Sequence, residues 1–313
     1  MILTALMIMM ALPYPLRAGI VLGIFTIMFT VGNSAWWFDR YGQTVNSSFY
    51  EIFYSETLYR RFWLERDLAQ LKEDYGVTVH ASIALADYRP KWLKEDGQAK
   101  IGTKVVATTN RDDFAYFVRI IKPEIERYAP ALIRQHLTDL YGFDDLITGG
   151  VETGGTYELT QNSIYMVHKY DRPSQRMSSV DIKIIFHHEF SSMLMHRHDF
   201  NEGTWRQAAG LAFRYEQDND PLYEWRYLNG HIDEVAPLEV LLARGLLNAY
   251  SETGVENDFN TYAGVIFTQP ETMRGWIAHY PIVARKYALF KAFYLGIDPG
   301  LAPVFAAIDD ASE

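Results

Sequence analysis

The segment from Val180 to Phe200 holds the side chains of this chain that are best suited to chemistry. Four of the nine histidines lie in it, at His187, His188, His196 and His198. The rest of the segment is mostly apolar and contains no Gly or Pro, which predicts an α-helix. At about 100° per residue, His188, Glu189, Ser192 and His196 lie along one polar seam of that helix. Burying an imidazole and a carboxylate costs free energy unless they have partners or a function, so the seam is a candidate active site.

The sequence of this seam resembles the active-site helix of zinc metallopeptidases. Their H-E-x-x-H motif places two imidazoles on one Zn²⁺ and a glutamate beside the metal-bound water. The segment His187 to Phe190 and the Gly-Gly-Thr-Tyr sequence before the preceding strand are similar to a group of bacterial candidate zinc-binding metallopeptidases. The resemblance implies Zn²⁺ as cofactor, His188 as a ligand and Glu189 as the base that activates water. The chain departs from the motif at Ser192, which stands where the second histidine belongs.

Further ligands have to come from outside the motif. His196 lies roughly 12 Å beyond His188 along a continuous helix, so it would bind the same ion only after a rearrangement. His198 has the spacing of the third metzincin ligand, but Met195 replaces the glycine at which that chain turns. Gluzincins instead take the third ligand from a later acidic helix, and this chain has such a segment at Ser251 to Phe267.

Two acidic residues of that later segment are candidate ligands. At helical spacing Glu256 lies closer than Asp258 to the apolar face, so Glu256 is the better candidate and Asp258 the alternative. Asp258 could instead accept a hydrogen bond from a ligand histidine, and Asn260 would orient the site. Tyr262 or Tyr215 is the candidate for stabilising an oxyanion.

A purely structural interpretation of the same residues is also open. Glu256 and Asp258 stand at the start of a predicted helix, where acidic side chains complement the helix dipole. His196 and His198 stand at the end of one, where an imidazolium does the same. His187 points about 100° away from His188, which predicts a core histidine with its own partners.

Composition limits the possible classes of protein. The chain has 313 residues, of which 49% are hydrophobic, enough for one large domain. Its net charge is −10 and no basic run occurs, so a nucleic acid is not an expected partner. Cysteine is absent, which excludes disulfides, thiolate metal sites and a catalytic thiol.

The N-terminal segment predicts export or membrane attachment. Residues 2–31 are almost wholly apolar, and Ala18 to Val31 is too short for a bilayer span of about 20 residues but long enough for a signal-peptide core. Arg17 would be its positive flank, and Ala35 a cleavage position. We expect residues 1–35 to be a signal peptide or an uncleaved anchor, with a buried helix as the alternative. The rest would then be periplasmic, in the cell envelope or anchored outside the cytoplasm.

Residues 36–313 are predicted to form one α+β domain, zincin-like, mainly helical and with a small mixed sheet. Tyr157 to His168 is expected to be a strand leading into the histidine-containing helix, as in zincins. A long helix is predicted from Asp112 to His136, kinked or divided at Pro123, and another over Pro237 to Tyr250.

Three functional hypotheses follow. The first is a metallopeptidase-like hydrolase that cleaves peptides in the cell envelope. The second, which Ser192 favours, is a lapsed zincin that binds a peptide or an envelope partner without catalysis. The third is a structural membrane-anchored protein.

Overall fold

The structure is a computed structural model that describes residues 56–95, 97–169, 175–232 and 234–310. From Tyr59 onward the described residues form one compact unit. The predicted signal or anchor, residues 1–35, lies outside the described residues. Within the described ranges, no helix is both long enough and apolar enough to cross a membrane.

The described chain contains thirteen α-helices and six strands. The helices are α1 Glu56–Phe62, α2 Leu64–Gln70, α3 Arg111–Ile125, α4 Pro130–His136, α5 Ser179–Arg197, α6 Glu202–Ala208, α7 Glu216–Asn219, α8 Tyr223–Leu228, α9 Leu238–Ala243, α10 Val255–Thr268, α11 Pro270–His279, α12 Pro281–Ile297 and α13 Ala302–Asp309. The strands are β1 Thr78–His80, β2 Lys104–Ala107, β3 Asp139–Thr148, β4 Val151–Glu152, β5 Gly155–Glu158 and β6 Ser163–Val167. The predicted mainly helical class with a small mixed sheet is confirmed.

Strand β3 is the centre of the sheet. Strands β1 and β6 run parallel to it, and β2 and β4 run antiparallel. Strand β5 runs antiparallel to β6 and ends the strand order, so it forms an edge. The single strand predicted over Tyr157 to His168 is therefore wrong, because the chain reverses between β5 and β6. Asn162 in that turn has φ of 50°, a left-handed conformation that asparagine tolerates better than most residues.

The helix predicted from Asp112 to His136 divides between Ile125 and Pro130, while Pro123 lies inside α3. The break comes where Ala129 is extended, with ψ of 137°. Proline disfavours helical backbone in the residue before it, so Pro130 keeps Ala129 extended and stands at the start of α4. Likewise the helix predicted over Pro237 to Tyr250 ends at Ala243, since Gly245 has φ of 79°.

Helix α5 is the central element of the core and carries the histidine-containing segment. The Ser178 side chain caps its N-terminus by accepting from the Asp181 N–H. It packs against the sheet through β5 and β6, against α3, and most extensively along α10. A Cβ at Gly264 of α10 would lie 3.0 Å from Cγ2 of Ile184, so glycine allows these two helices to approach closely. The two elements that carry the predicted site residues are therefore in direct contact.

Candidate functional site

Glu189 points from α5 toward the edge strand β5. A Cβ at Gly155 would lie 3.0 Å from Glu189 Cγ, 3.1 Å from Glu189 Oε1 and 2.5 Å from Ile185 Cγ2. Glycine at this position is what allows β5 to lie so close to α5. The Glu189 side chain is only 8% exposed. Within the described part of the chain, its carboxyl group has no hydrogen-bond or ion-pair partner.

The environment of Glu189 favours its protonated form. Burial raises the pKa of Glu189 to about 8, and the negative charges of Glu256 and Glu224 act in the same direction, against the opposing charge of Arg89. A carboxyl group whose pKa lies near neutral pH can both take up and release a proton. Glu189 is therefore the side chain in this region best suited to proton transfer.

Glu256 connects β5, α5 and α10. It lies in the first turn of α10, where Tyr157 of β5 donates to its Oε1 at 2.8 Å. His196 Nε2 lies 3.3 Å from its Oε2. The structure thus brings Glu256 and His196, two of the predicted metal ligands, into direct contact with each other.

His188 has neutral polar neighbours. Burial lowers the pKa of His188 to about 4, although the charge of Glu256 and a hydrogen bond with Asn257 raise it in part. The Asn257 amide nitrogen donates to Glu224 Oε1 at 3.0 Å and to Thr253 Oγ1 at 2.7 Å. Because those bonds use both N–H groups of the amide, its oxygen is left to accept from the imidazole. The ring of Tyr250 lies 5.9 Å from that of His188.

Ser192 lies one helical turn after His188 and faces α10. Its Oγ accepts a 2.6 Å hydrogen bond from the Asn260 amide, and both side chains are buried. The hydroxyl therefore has a fixed partner in the helix interface.

These donor atoms do not fit a zinc site. A structural or catalytic zinc needs three or four imidazole, carboxylate or thiolate ligands. Beside His188, the positions that could supply them hold the Asn257 amide and the Ser192 hydroxyl, both poor ligands. Among the residues that the structure describes, no group of three or more His, Asp or Glu side chains could hold a metal ion. We therefore derive no chemistry through zinc.

The structure places Asp258 and Tyr262 in a separate buried cluster. Asp258 Oδ2 accepts from Lys286 Nζ at 2.6 Å, from Trp205 Nε1 at 2.8 Å and from the Tyr215 hydroxyl. The Tyr262 hydroxyl donates at 3.0 Å to a backbone carbonyl in the turn after α9. These residues join α10 to α12 and to the chain before α7, and they are not brought to Glu189. Asp258, Tyr215 and Tyr262 therefore do not belong to the candidate site.

A cavity of about 410 Å³ lies next to that second cluster. Of the two arginines that line it, Arg206 is paired with Glu202 and Asp218, and Arg214 donates to backbone carbonyls. No residue of the predicted site lines it.

Two further histidines of the segment have partners of their own. His187 Nδ1 accepts from the Tyr128 hydroxyl at 2.8 Å, and its Nε2 lies 3.1 Å from Glu124 Oε2. His198 Nε2 lies 3.1 Å from His136 Nε2. Both pairs lie away from Glu189.

The sequence did not single out several residues that surround Glu189 and His188: Gly155, Tyr157, Glu224, Tyr250 and Asn257. The first two belong to the Gly-Gly-Thr-Tyr sequence noted above, residues 154–157, which was a usable signal for the strand beside the site. For Glu224 and Tyr250 no local pattern was available, because short loops and helices bring them there.

No protein-family profile matches the chain, and no curated protein matches it. One solved structure is similar, that of a candidate zinc-binding metallo-peptidase from Bacteroides caccae, at 12% sequence identity and a TM-score of 0.45. The match covers 81% of this chain and 93% of that one. A similarity this low carries no functional residue over to this chain.

Proposed function

We propose that this chain is a lapsed, metallopeptidase-like protein that binds an extended peptide along β5 without zinc-dependent hydrolysis. The observation that carries the proposal is the buried bond between Asn260 and Ser192, which occupies the place of a second imidazole. The side chains around His188 also support the proposal, because they form hydrogen bonds with one another. If residues 1–35 direct export, the partner would be a peptide of the cell envelope.

The backbone of β5 supplies the binding surface. Val167 N–H donates to the Gly154 carbonyl at 2.9 Å, in register with the pairing of Gly155 and Met166. Residues of an antiparallel pair alternate between bonding to the partner strand and facing away from it. The N–H and C=O groups of Gly155 and Tyr157 therefore face the open edge, and the four residues of β5 are all partly exposed. An extended peptide can add to such an edge as a further strand.

The test uses the full-length wild-type protein and a fluorescent eight-residue peptide of Ala, Ser, Val and Tyr. We expect saturable binding that a chelator does not change, and an intact peptide by mass spectrometry. Methylating the peptide nitrogens one at a time should weaken binding at every second position only, because alternate N–H groups face β5. The absence of binding, or equal effects at adjacent positions, would overturn the proposal.

A second candidate function is peptide hydrolysis, and the retained Glu189 favours it. A buried, unpartnered carboxyl with a pKa of about 8 is suited to general acid–base catalysis. This candidate predicts cleavage of the same peptide and a loss of at least about 100-fold in rate for Glu189→Gln. Intact peptide after prolonged incubation with the wild-type protein excludes it.

A further inference from the structure

We propose that the site beside β5 selects peptides that carry a positive charge, received as an ammonium or guanidinium group among Glu189, Glu224 and Glu256. We call these three residues the carboxylate cluster. The inference rests on the proposed peptide-binding function and adds the chemical class of the ligand.

Three different elements supply the carboxylate cluster: α5, α8 and α10. Glu189 and Glu256 lie against two alternate residues of β5, Gly155 and Tyr157. Glu224 accepts a 2.9 Å hydrogen bond from the Tyr250 hydroxyl, and burial together with all three carboxylates raises the pKa of that hydroxyl. Glu256 and Glu224 also act on Glu189 itself. Glu224 and Glu256 therefore generate a local negative potential that favours a cation, and a bound cation would in turn favour the ionised form of Glu189.

The described cations nearby offset this potential only in part, because the pKa of Glu189 stays raised despite the charge of Arg89. Arg89 lies against β5, where its guanidinium donates to Thr156 and lies 3.5 Å from Glu158. His196 lies 3.3 Å from Glu256 and its ring lies 5.9 Å from that of Tyr157, and the lowered pKa of His188 keeps its imidazole neutral. Within the described ranges, neither Glu189 nor Glu224 has a cationic side chain within 4.0 Å.

The Glu189 side chain gives separate evidence that a ligand binds here. Its side chain is more than nine-tenths buried, and its carboxyl group lies against the edge strand with no described partner. Buried carboxyl groups in folded proteins are otherwise hydrogen-bonded or paired. An ammonium group has three N–H donors and no acceptor, so it can satisfy Glu189 and a second member of the cluster together. A peptide lying along β5 would bring such a group to this point.

The experiment compares three peptides of otherwise identical sequence. The first is blocked at both ends and has a central Lys, the second replaces that Lys with Gln, and the third has Gln with a free N-terminus. We expect the Lys peptide or the free N-terminal peptide to bind about ten-fold more tightly than the blocked Gln peptide, and to lose this advantage in high salt. Whichever of the two shows the advantage identifies the source of the cation.

The variants Glu189→Gln and Glu224→Gln should each abolish the advantage while the blocked Gln peptide still binds. Glu271→Gln on α11 is the matched control, because it makes the same substitution at a carboxylate that is paired with Arg274. Equal binding of all three peptides overturns this inference and leaves the proposed function standing. An equal loss in Glu271→Gln also overturns it, since the effect would then come from net charge. Failure of every peptide to bind overturns the proposed function instead.

Discussion

Asn260 of α10 donates a 2.6 Å hydrogen bond to Oγ of Ser192 on α5. The two side chains lie inside the contact between the helices, where both are buried. In the H-E-x-x-H arrangement this turn of the helix would present an imidazole to a metal. Here the same position holds two helices together.

Introducing ligands at two positions should create a zinc site. We expect the wild-type protein, purified without chelators, to hold less than about a tenth of an equivalent of zinc, and Ser192→His with Asn257→Glu to hold about one equivalent. The two new side chains would stand one turn from His188 and beside it. Ser191→His with Asn257→Glu is the control, because residue 191 points about 100° away from residue 192. Full zinc occupancy in the wild type would contradict our interpretation of the donor atoms.

Asp258 should stabilise the fold, because it is paired with Lys286 in a fully buried position. Lys286→Met leaves the carboxylate without its cation and should lower the free energy of unfolding by about 3–5 kcal/mol. Lys291→Met on the same helix breaks an exposed pair with Asp309, and should cost less than about 1 kcal/mol. Urea unfolding of both variants measures the difference. Equal, small effects would show that the buried pair does not stabilise the fold.

Glu189 should make stability fall as pH rises. Its pKa is raised from 4.5 to about 8 by burial and by nearby carboxylates, so the folded state favours the protonated form. This contribution is complete below about pH 4.5 and is lost as the pH rises through about 8. Glu189→Gln cannot ionise, so its stability relative to the wild type should increase by about 2–4 kcal/mol between pH 4.5 and 8. Urea unfolding across this range tests it, with Glu271→Gln as the control, and a constant difference would contradict it.

Gly155 should be required for the approach of β5 to α5. In Gly155→Ala the new methyl group would lie 2.5 Å from Ile185 Cγ2, so we expect a loss of about 1–3 kcal/mol and weaker peptide binding. Gly154→Ala is the matched control, since its methyl group would lie 3.4 Å from Ile185, an ordinary contact. Thermal unfolding and the peptide assay measure both effects. Equal behaviour of the two variants would show that the close contact is not needed.

The sequence predicted the mixed class and the central helix because local patterns determine both. Helix α5 spans Ser179–Arg197, nearly the segment that its uninterrupted apolar content indicated. The residues at which helices and strands begin and end were less predictable. The reversal at Asn162 falls in the polar run from Thr160 to Ser163. Asn and Ser favour turns, but the strand-like residues on both sides outweighed this signal.

The candidate site was predictable only in part, because its residues come from distant segments. Helical spacing placed Glu256 nearer than Asp258 to the apolar face of α10, which is wrong: the Glu256 side chain is 35% exposed and Asp258 is fully buried. The spacing could not indicate the partner of Asp258, because Lys286 lies 28 residues away. The neighbours of His188 depend on how the chain between α8 and α10 folds over α5. Such tertiary contacts leave no periodic signal in the sequence.

The face of α5 that carries His187 has its own set of hydrogen-bond and ion-pair partners. His187 is held between Tyr128 and Glu124, and Glu124 also contacts Lys183 and Arg127. Because this attachment shares no atom with Glu189 or Ser192, substitutions on the opposite side of the helix leave it intact. A binding surface on such a scaffold can change by mutation while the protein still folds, so its ligand preference can evolve independently of the contacts that hold α5 in place.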